Sequence, residues 1–285
     1  IASPMNWTTL EKSFCESIIT GPPEPINAVS SLFMVVYGLC GLFVTRNNSI
    51  LSRVISGFLL TTGIGSTVYH ATLHFGWGII DSIPMLVASY LGVYMIVDMT
   101  VYKKIIVDST AADTLTYEKI RLYERASGAT SAIAMLLLTF SIALSQATET
   151  RNLFSVWFLI PELMIAAGVL VIRFYTHRDL LDTNQPATKY ATRLLYGGTA
   201  TAALAAVIWF VTELLCPKYT FLSHLPTHAL WHAAISGGMY AIQQFLIYVH
   251  CHNKGRNPRW MTGTSLPTNI FYVLVPAVDT STEFE

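Results

Sequence analysis

Seven stretches of this sequence are each about twenty residues long and so apolar that water cannot be their solvent. They fall at roughly 26–45, 51–71, 79–101, 127–146, 152–173, 193–213 and 228–249. About 20 apolar residues in helical geometry cross the hydrocarbon core of a bilayer, and backbone polar groups in lipid must be satisfied within the segment. The expected fold class is therefore an all-α membrane protein, a seven-transmembrane helix bundle. Composition agrees: 12% of the 285 residues are charged, against about 25% in an ordinary soluble domain. Net charge is zero, which gives no support to a nucleic-acid partner.

Basic residues set the orientation, because Lys and Arg accumulate on the cytosolic side. Fourteen of the 17 follow the odd-numbered spans: Arg46 and Arg53; Lys103, Lys104, Lys119, Arg121 and Arg125; Arg173, Arg178, Lys189 and Arg193; Lys254, Arg256 and Arg259. The opposite side holds Lys12, Arg151 and Lys218. The N-terminus is thus expected outside or in a lumen and the C-terminus in the cytosol. The polar stretch "MNWTTLEKSFCES" at 5–17 has no signal-peptide character, so the first span is expected to act as the start signal. No internal repeat or second domain is visible. The chain reads as one domain over 1–285, with a lumenal arm at 1–25, spans over about 26–249 and a cytosolic tail at 250–285. The apolar tail patch "NIFYVLVPAV" reads as an interfacial segment or an ordered tail.

The informative residues are those a bilayer penalises. In this orientation Ser66 and His70 of "STVYH" lie near the outer end of the second span. Asp81 of "GIIDSIPML" lies in the first turn of the third. His228 and His232 of "THALWH" open the seventh. Polar side chains from three spans therefore share one membrane level. Residues four apart share a helix face, so His228 and His232 present both rings to one point, and Ser66 and His70 share a face likewise. Three neutral imidazoles with an open fourth position form the pattern of a catalytic zinc site. Asp81 is placed to serve as general base, and Ser66 to donate to an oxyanion. Iron or a structural zinc is the other metal reading, and Asp81 taken alone also suits a helix N-cap. His74, His177, His224, His250 and His252 lack this placement.

Outside the membrane, Glu24 and Asn27 are spaced to brace a helix start, and Asn27 reads as structural. Of four cysteines, Cys15 and Cys216 both face the oxidising side, so a Cys15–Cys216 disulfide is the pairing in which compartment and accessibility agree.

"EPIN" at 24–27, "STVYH" at 66–70, Asp81, and "HALWH" at 228–232 occur in an order that resembles the alkaline ceramidase family, within a larger superfamily of seven-span hydrolases. The resemblance implies zinc held by His70, His228 and His232, with Ser66 and Asp81 beside it, and hydrolysis of ceramide to sphingosine and a fatty acid. Its implied partner is a ceramide-like membrane lipid. It implies an ER- or Golgi-type membrane in a eukaryote and the plasma membrane in a bacterium. It supports the same disulfide. "FCE" at 14–16 is similar to the family's calcium-binding arm, with Glu16 and Glu24 as candidate ligands. Ser13 stands where the family has an aspartate, and "SII" at 17–19 lacks the family's asparagine. Two carboxylates fall short of the six to eight oxygens calcium takes. A zinc-dependent lipid amidase is the expected function. An esterase or GPI-lipid remodelling hydrolase with the same centre, or a seven-span lipid receptor with structural zinc, are the alternatives.

Overall fold

The computed structural model describes residues 14–16, 18, 23–44, 50–102, 163–165, 167–170, 186–253, 259–260 and 278–279. The fourth expected span, the 103–126 connection, most of the fifth span, and Ser13 lie outside the described residues. By proximity the chain divides into two compact units. One comprises Ile1–Arg46, Ser56–Met85 and Tyr196–Ile242, the other Asn47–Ile55, Leu86–Leu195 and Gln243–Glu285.

The described backbone is almost wholly helical: α1 (Pro25–Ser30), α2 (Leu32–Val44), α3 (Ile50–Thr72), α4 (Phe75–Tyr102), α5 (Pro186–Leu215) and α6 (Thr227–Asn253), with a 3₁₀ turn at Thr220–His224. Four segments are long and apolar enough to cross a membrane: Pro25–Phe43, Ile50–Thr72, Phe75–Val97 and Pro186–Leu215. These correspond to the expected spans one, two, three and six. Their exposed side chains include Phe33, Val36 and Phe43 on α2 and Leu204, Val207, Phe210 and Leu214 on α5, an outer surface suited to lipid. The expected seventh span is α6, which has the length but is too polar to qualify by composition. His228, His232, Ser236, Gln243 and Gln244 are all buried there, so the protein, not the surrounding medium, receives its polar groups. The tail departs from the all-helical expectation in a short antiparallel pair. β1 (Arg259–Trp260) aligns Arg259 with Asp279 and Trp260 with Val278 of β2 (Val278–Asp279).

Small residues set how closely helices approach in the first unit. A Cβ on Gly38 of α2 would fall 2.6 Å from the Leu60 amide nitrogen of α3, and one on Gly63 of α3 would fall 2.6 Å from that of Val35. α5 and α6 cross at Gly198 and Gly238, where a Cβ on either would meet the other's carbonyl oxygen within 2.8 Å. In lipid, where apolar contact between helices gains little over contact with acyl chains, such backbone proximity is a principal source of helix association.

α3 and α4 are joined by two residues, Leu73 and His74. Leu73 takes φ 53°, the left-handed conformation that ends a helix, and its N–H bonds the Tyr69 carbonyl. A leucine there costs about 1–2 kcal/mol of backbone strain; its side chain is almost fully buried, which offsets the cost. The tight joint means α4 begins at Phe75, earlier than position 79. Asp81 therefore lies in its second turn and is not the N-cap of that helix.

Candidate metal centre

The first unit brings together three imidazoles from two helices. His70, in the last turn of α3, and His228 and His232, in the first two turns of α6, are all buried. Each offers one nitrogen, and these three atoms lie within 4.8 Å of one another. Ring centroids are 4.9 Å apart for His70–His228, 5.2 Å for His70–His232 and 4.7 Å for His228–His232.

Every ring is anchored at Nδ1. His70 Nδ1 lies 2.6 Å from Glu24 Oε2. His232 Nδ1 lies 2.9 Å from Ser30 Oγ and 3.3 Å from Ser31 Oγ. His228 Nδ1 lies 3.2 Å from Glu213 Oε1 and 3.2 Å from the Trp209 indole nitrogen. His70 Nε2 is buried without a hydrogen-bond partner, an omission that a folded protein seldom leaves unexplained. Anchored Nδ1 atoms with Nε2 turned inward are how metal-binding histidines are held. The donor set fits a metal ion, and zinc suits three neutral imidazoles with a fourth position open.

Sequence alone brings Glu24 forward as a brace for a helix start and a candidate calcium ligand. In the structure it is fully buried and is the hub of the site. Its backbone N–H bonds the His70 carbonyl at 2.9 Å, satisfying a carbonyl near the end of α3. Its carboxylate accepts from Phe14 N at 2.7 Å, from Asn27 Nδ2 at 3.2 Å and from His70. Glu16 caps α1, accepting from the amides of Ile26 and Asn27 at 2.9 and 3.0 Å. Asn27 donates its side-chain amide to Glu24, and its carbonyl accepts from Ser30 and Ser31. Glu24→Ala would leave the Phe14 amide and the Asn27 side chain without an acceptor. Its expected cost is about 3 kcal/mol of stability and roughly 10–100-fold in metal affinity, read from melting in nanodiscs and from chelator competition.

Ser66 is fully buried one turn before His70, and Ser31 Oγ lies 3.0 Å from Ser66 Oγ and 2.8 Å from the Asn27 carbonyl. Ser66 is thus linked through Ser31 to His232. Asp81, half-buried, belongs to the backbone that crosses its neighbour Gly65. A Cβ there would meet the Ile80 carbonyl carbon at 2.6 Å and the Asp81 nitrogen at 2.7 Å. Glycine at 65 is what lets the α4 backbone pass this close to α3 at Ile80 and Asp81. Gly65→Ala must push the helices apart, at about 1–3 kcal/mol. The melting temperature is expected to fall with metal content unchanged, measured by melting in nanodiscs and metal analysis.

Aromatic rings close the site. Phe14 packs edge-on to His228 at 4.3 Å between centroids, and Trp209 stacks on Trp231 at 5.0 Å. The expected disulfide joins Cys15 and Cys216, whose Cα atoms are 6.0 Å apart; Cys40 and Cys251 are buried and take no part in it. Glu213, Trp209, Ser30 and Ser31 are site residues the sequence reading passes over. For Glu213 the signal exists: a carboxylate ending an apolar span at the level of His228. Trp209 gives none, since tryptophans are ordinary near membrane interfaces.

A family model described as Ceramidase matches residues 8–273. A Dictyostelium discoideum protein named as an alkaline ceramidase is 24% identical over 268 residues, covering 86% of this chain and 86% of its own length.

Proposed function

The chain belongs to the ceramidase family, hydrolases of the ceramide amide bond, and on that premise we propose that it is a zinc-dependent intramembrane amidase that releases sphingosine and a fatty acid from ceramide. The observation that carries the reading is the buried trio of His70, His228 and His232, each held at Nδ1. When bound, zinc supplies Lewis acidity that polarises the amide carbonyl and acidifies water at the site.

The chain's own groups supply the rest. Asp81 accepts a proton from the attacking water and returns one to the departing amine nitrogen. Ser31 turns its hydrogen from the Asn27 carbonyl to Ser66 Oγ, freeing the hydrogen of Ser66 for the oxygen of the tetrahedral centre. Phe14 and the tryptophan pair limit water around the rings. The lipid's chains stay among the helices and water arrives from the lumenal end. In this reading the chain is one seven-span domain over 1–285, multi-pass, with a lumenal N-terminus and a cytosolic C-terminus, as the distribution of basic residues supports. Calcium stands outside the proposal, because the carboxylates of Glu16 and Glu24 already accept from amides and a histidine.

The test is purified protein, metal analysis, and mass spectrometry of products from a panel of ceramides, acyl esters and GPI lipids. Sphingosine release with zinc bound supports the amidase. Cleavage of esters alone, or no cleavage with zinc fully loaded, overturns it.

A further inference from the structure

Two consecutive backbone amides of the N-terminal arm reach two different carboxylates, and each carboxylate holds a different histidine. Phe14 N donates to Glu24 Oε1 at 2.7 Å, and Glu24 Oε2 meets His70 Nδ1. Cys15 N donates to Glu213 Oε2 at 3.1 Å, and Glu213 Oε1 meets His228 Nδ1 at 3.2 Å. The disulfide fastens this strap: Cys216 lies three residues beyond Glu213, so the bond to Cys15 pins the Cys15 amide over the Glu213 carboxylate. A hydroxyl contact of 3.0 Å between Thr212 and Thr227 ties the end of α5 to the start of α6 beside it.

His228 Nδ1 cannot serve both of its neighbours in one state. The Trp209 indole N–H needs a lone pair on Nδ1, which places the ring hydrogen on Nε2 and removes Nε2 as a ligand. The Glu213 carboxylate needs a hydrogen on Nδ1, which leaves the Nε2 lone pair for a metal. No net charge changes between these states; only the position of one hydrogen on a neutral ring does. We infer that Glu213 is a positioning residue that selects the ligating tautomer of His228, and that the Cys15–Cys216 disulfide acts on the metal centre by holding Glu213 in place. Nothing in Glu24's contacts poses the same choice, since no indole competes for His70 Nδ1 among the described contacts. His228 is the ligand whose readiness depends on a second group.

This inference rests on the zinc reading above, and its test separates the two. Zinc affinity is measured on full-length protein in nanodiscs by chelator competition, with cobalt absorption as a second readout of the ligand set. Glu213→Ala should weaken zinc about 10–100-fold and lower the intensity of the tetrahedral cobalt bands. Trp209→Phe in the Glu213→Ala background should return part of that loss, because the competing donor is gone. A purely structural role would instead give additive damage. Reducing the disulfide should weaken zinc in the wild type and add little in Glu213→Ala. If the alanine variant does not fold, Glu213→Met keeps length and burial and is held to the same criteria. Wild-type affinity in folded Glu213→Ala or Glu213→Met overturns the inference, as does additive loss in the tryptophan double variant. His228→Ala is the reference: if it too keeps zinc, the metal reading itself fails; if it loses zinc while the Glu213 variants keep it, only the inference fails.

Discussion

His70→Ala is expected to yield protein that retains no zinc and releases no sphingosine above background. Two losses combine. One of the three nitrogens proposed to hold the metal disappears, and Glu24 keeps its carboxylate fully buried while losing the partner at 2.6 Å. Breaking a buried pair from one side costs about 3–5 kcal/mol, so the melting temperature should fall as well. His228→Ala makes an informative contrast. Its partner Glu213 is 17% exposed and keeps the Cys15 amide, so zinc should be lost with a smaller drop in stability. Metal analysis, product mass spectrometry and melting in nanodiscs read all three effects. Ceramide hydrolysis at the wild-type rate in His70→Ala would sink the proposed centre.

Asp81→Asn should separate chemistry from metal binding. The substitution preserves shape, leaves all three imidazoles intact, and removes the group assigned to move protons. Turnover is expected to fall about 10²–10⁴-fold, the usual contribution of a positioned general base, with zinc per chain unchanged. The loss should appear in kcat more than in KM, because the carboxylate's assigned work is done after the lipid is bound. Loss of zinc together with activity would reassign Asp81 to the metal shell, and unchanged kcat would remove it from the mechanism.

Much of the candidate metal group is legible in the sequence, and the reason is physical. A bilayer makes polar residues conspicuous, so His70, His228 and His232 stood out from their spans, and four-residue spacing put two of them on one face. The start of α6 was legible to within a residue for the same reason. Helix ends hidden by composition were not. α5 begins at Pro186, not near 193, because Pro at the first helical position starts a helix whose first turns carry Thr188, Lys189 and Thr192. α4 begins at Phe75 with "FGWG" as its first turn, whose glycines blur an apolar window. Least legible was which nitrogen each histidine offers. That depends on Glu24, 46 residues from His70 in sequence, and on Ser30 and Ser31, about 200 from His232. Contacts of such separation leave no periodic trace.

The two-residue joint at Leu73 and His74 bears on how the protein is made. α3 carries Ser56, Thr61, Thr62, Ser66, Thr67, His70 and Thr72, which makes it the least apolar of the four candidate spans. Two residues span at most about 7 Å, so no slack exists for α3 to be released into lipid before the more apolar α4 arrives. The pair is expected to pass through the insertion machinery as a single hairpin, with α4 as the escort and the Gly65 crossing formed on the way in. Ser66, His70 and the backbone at Asp81 then enter the membrane on one hairpin, ahead of α6.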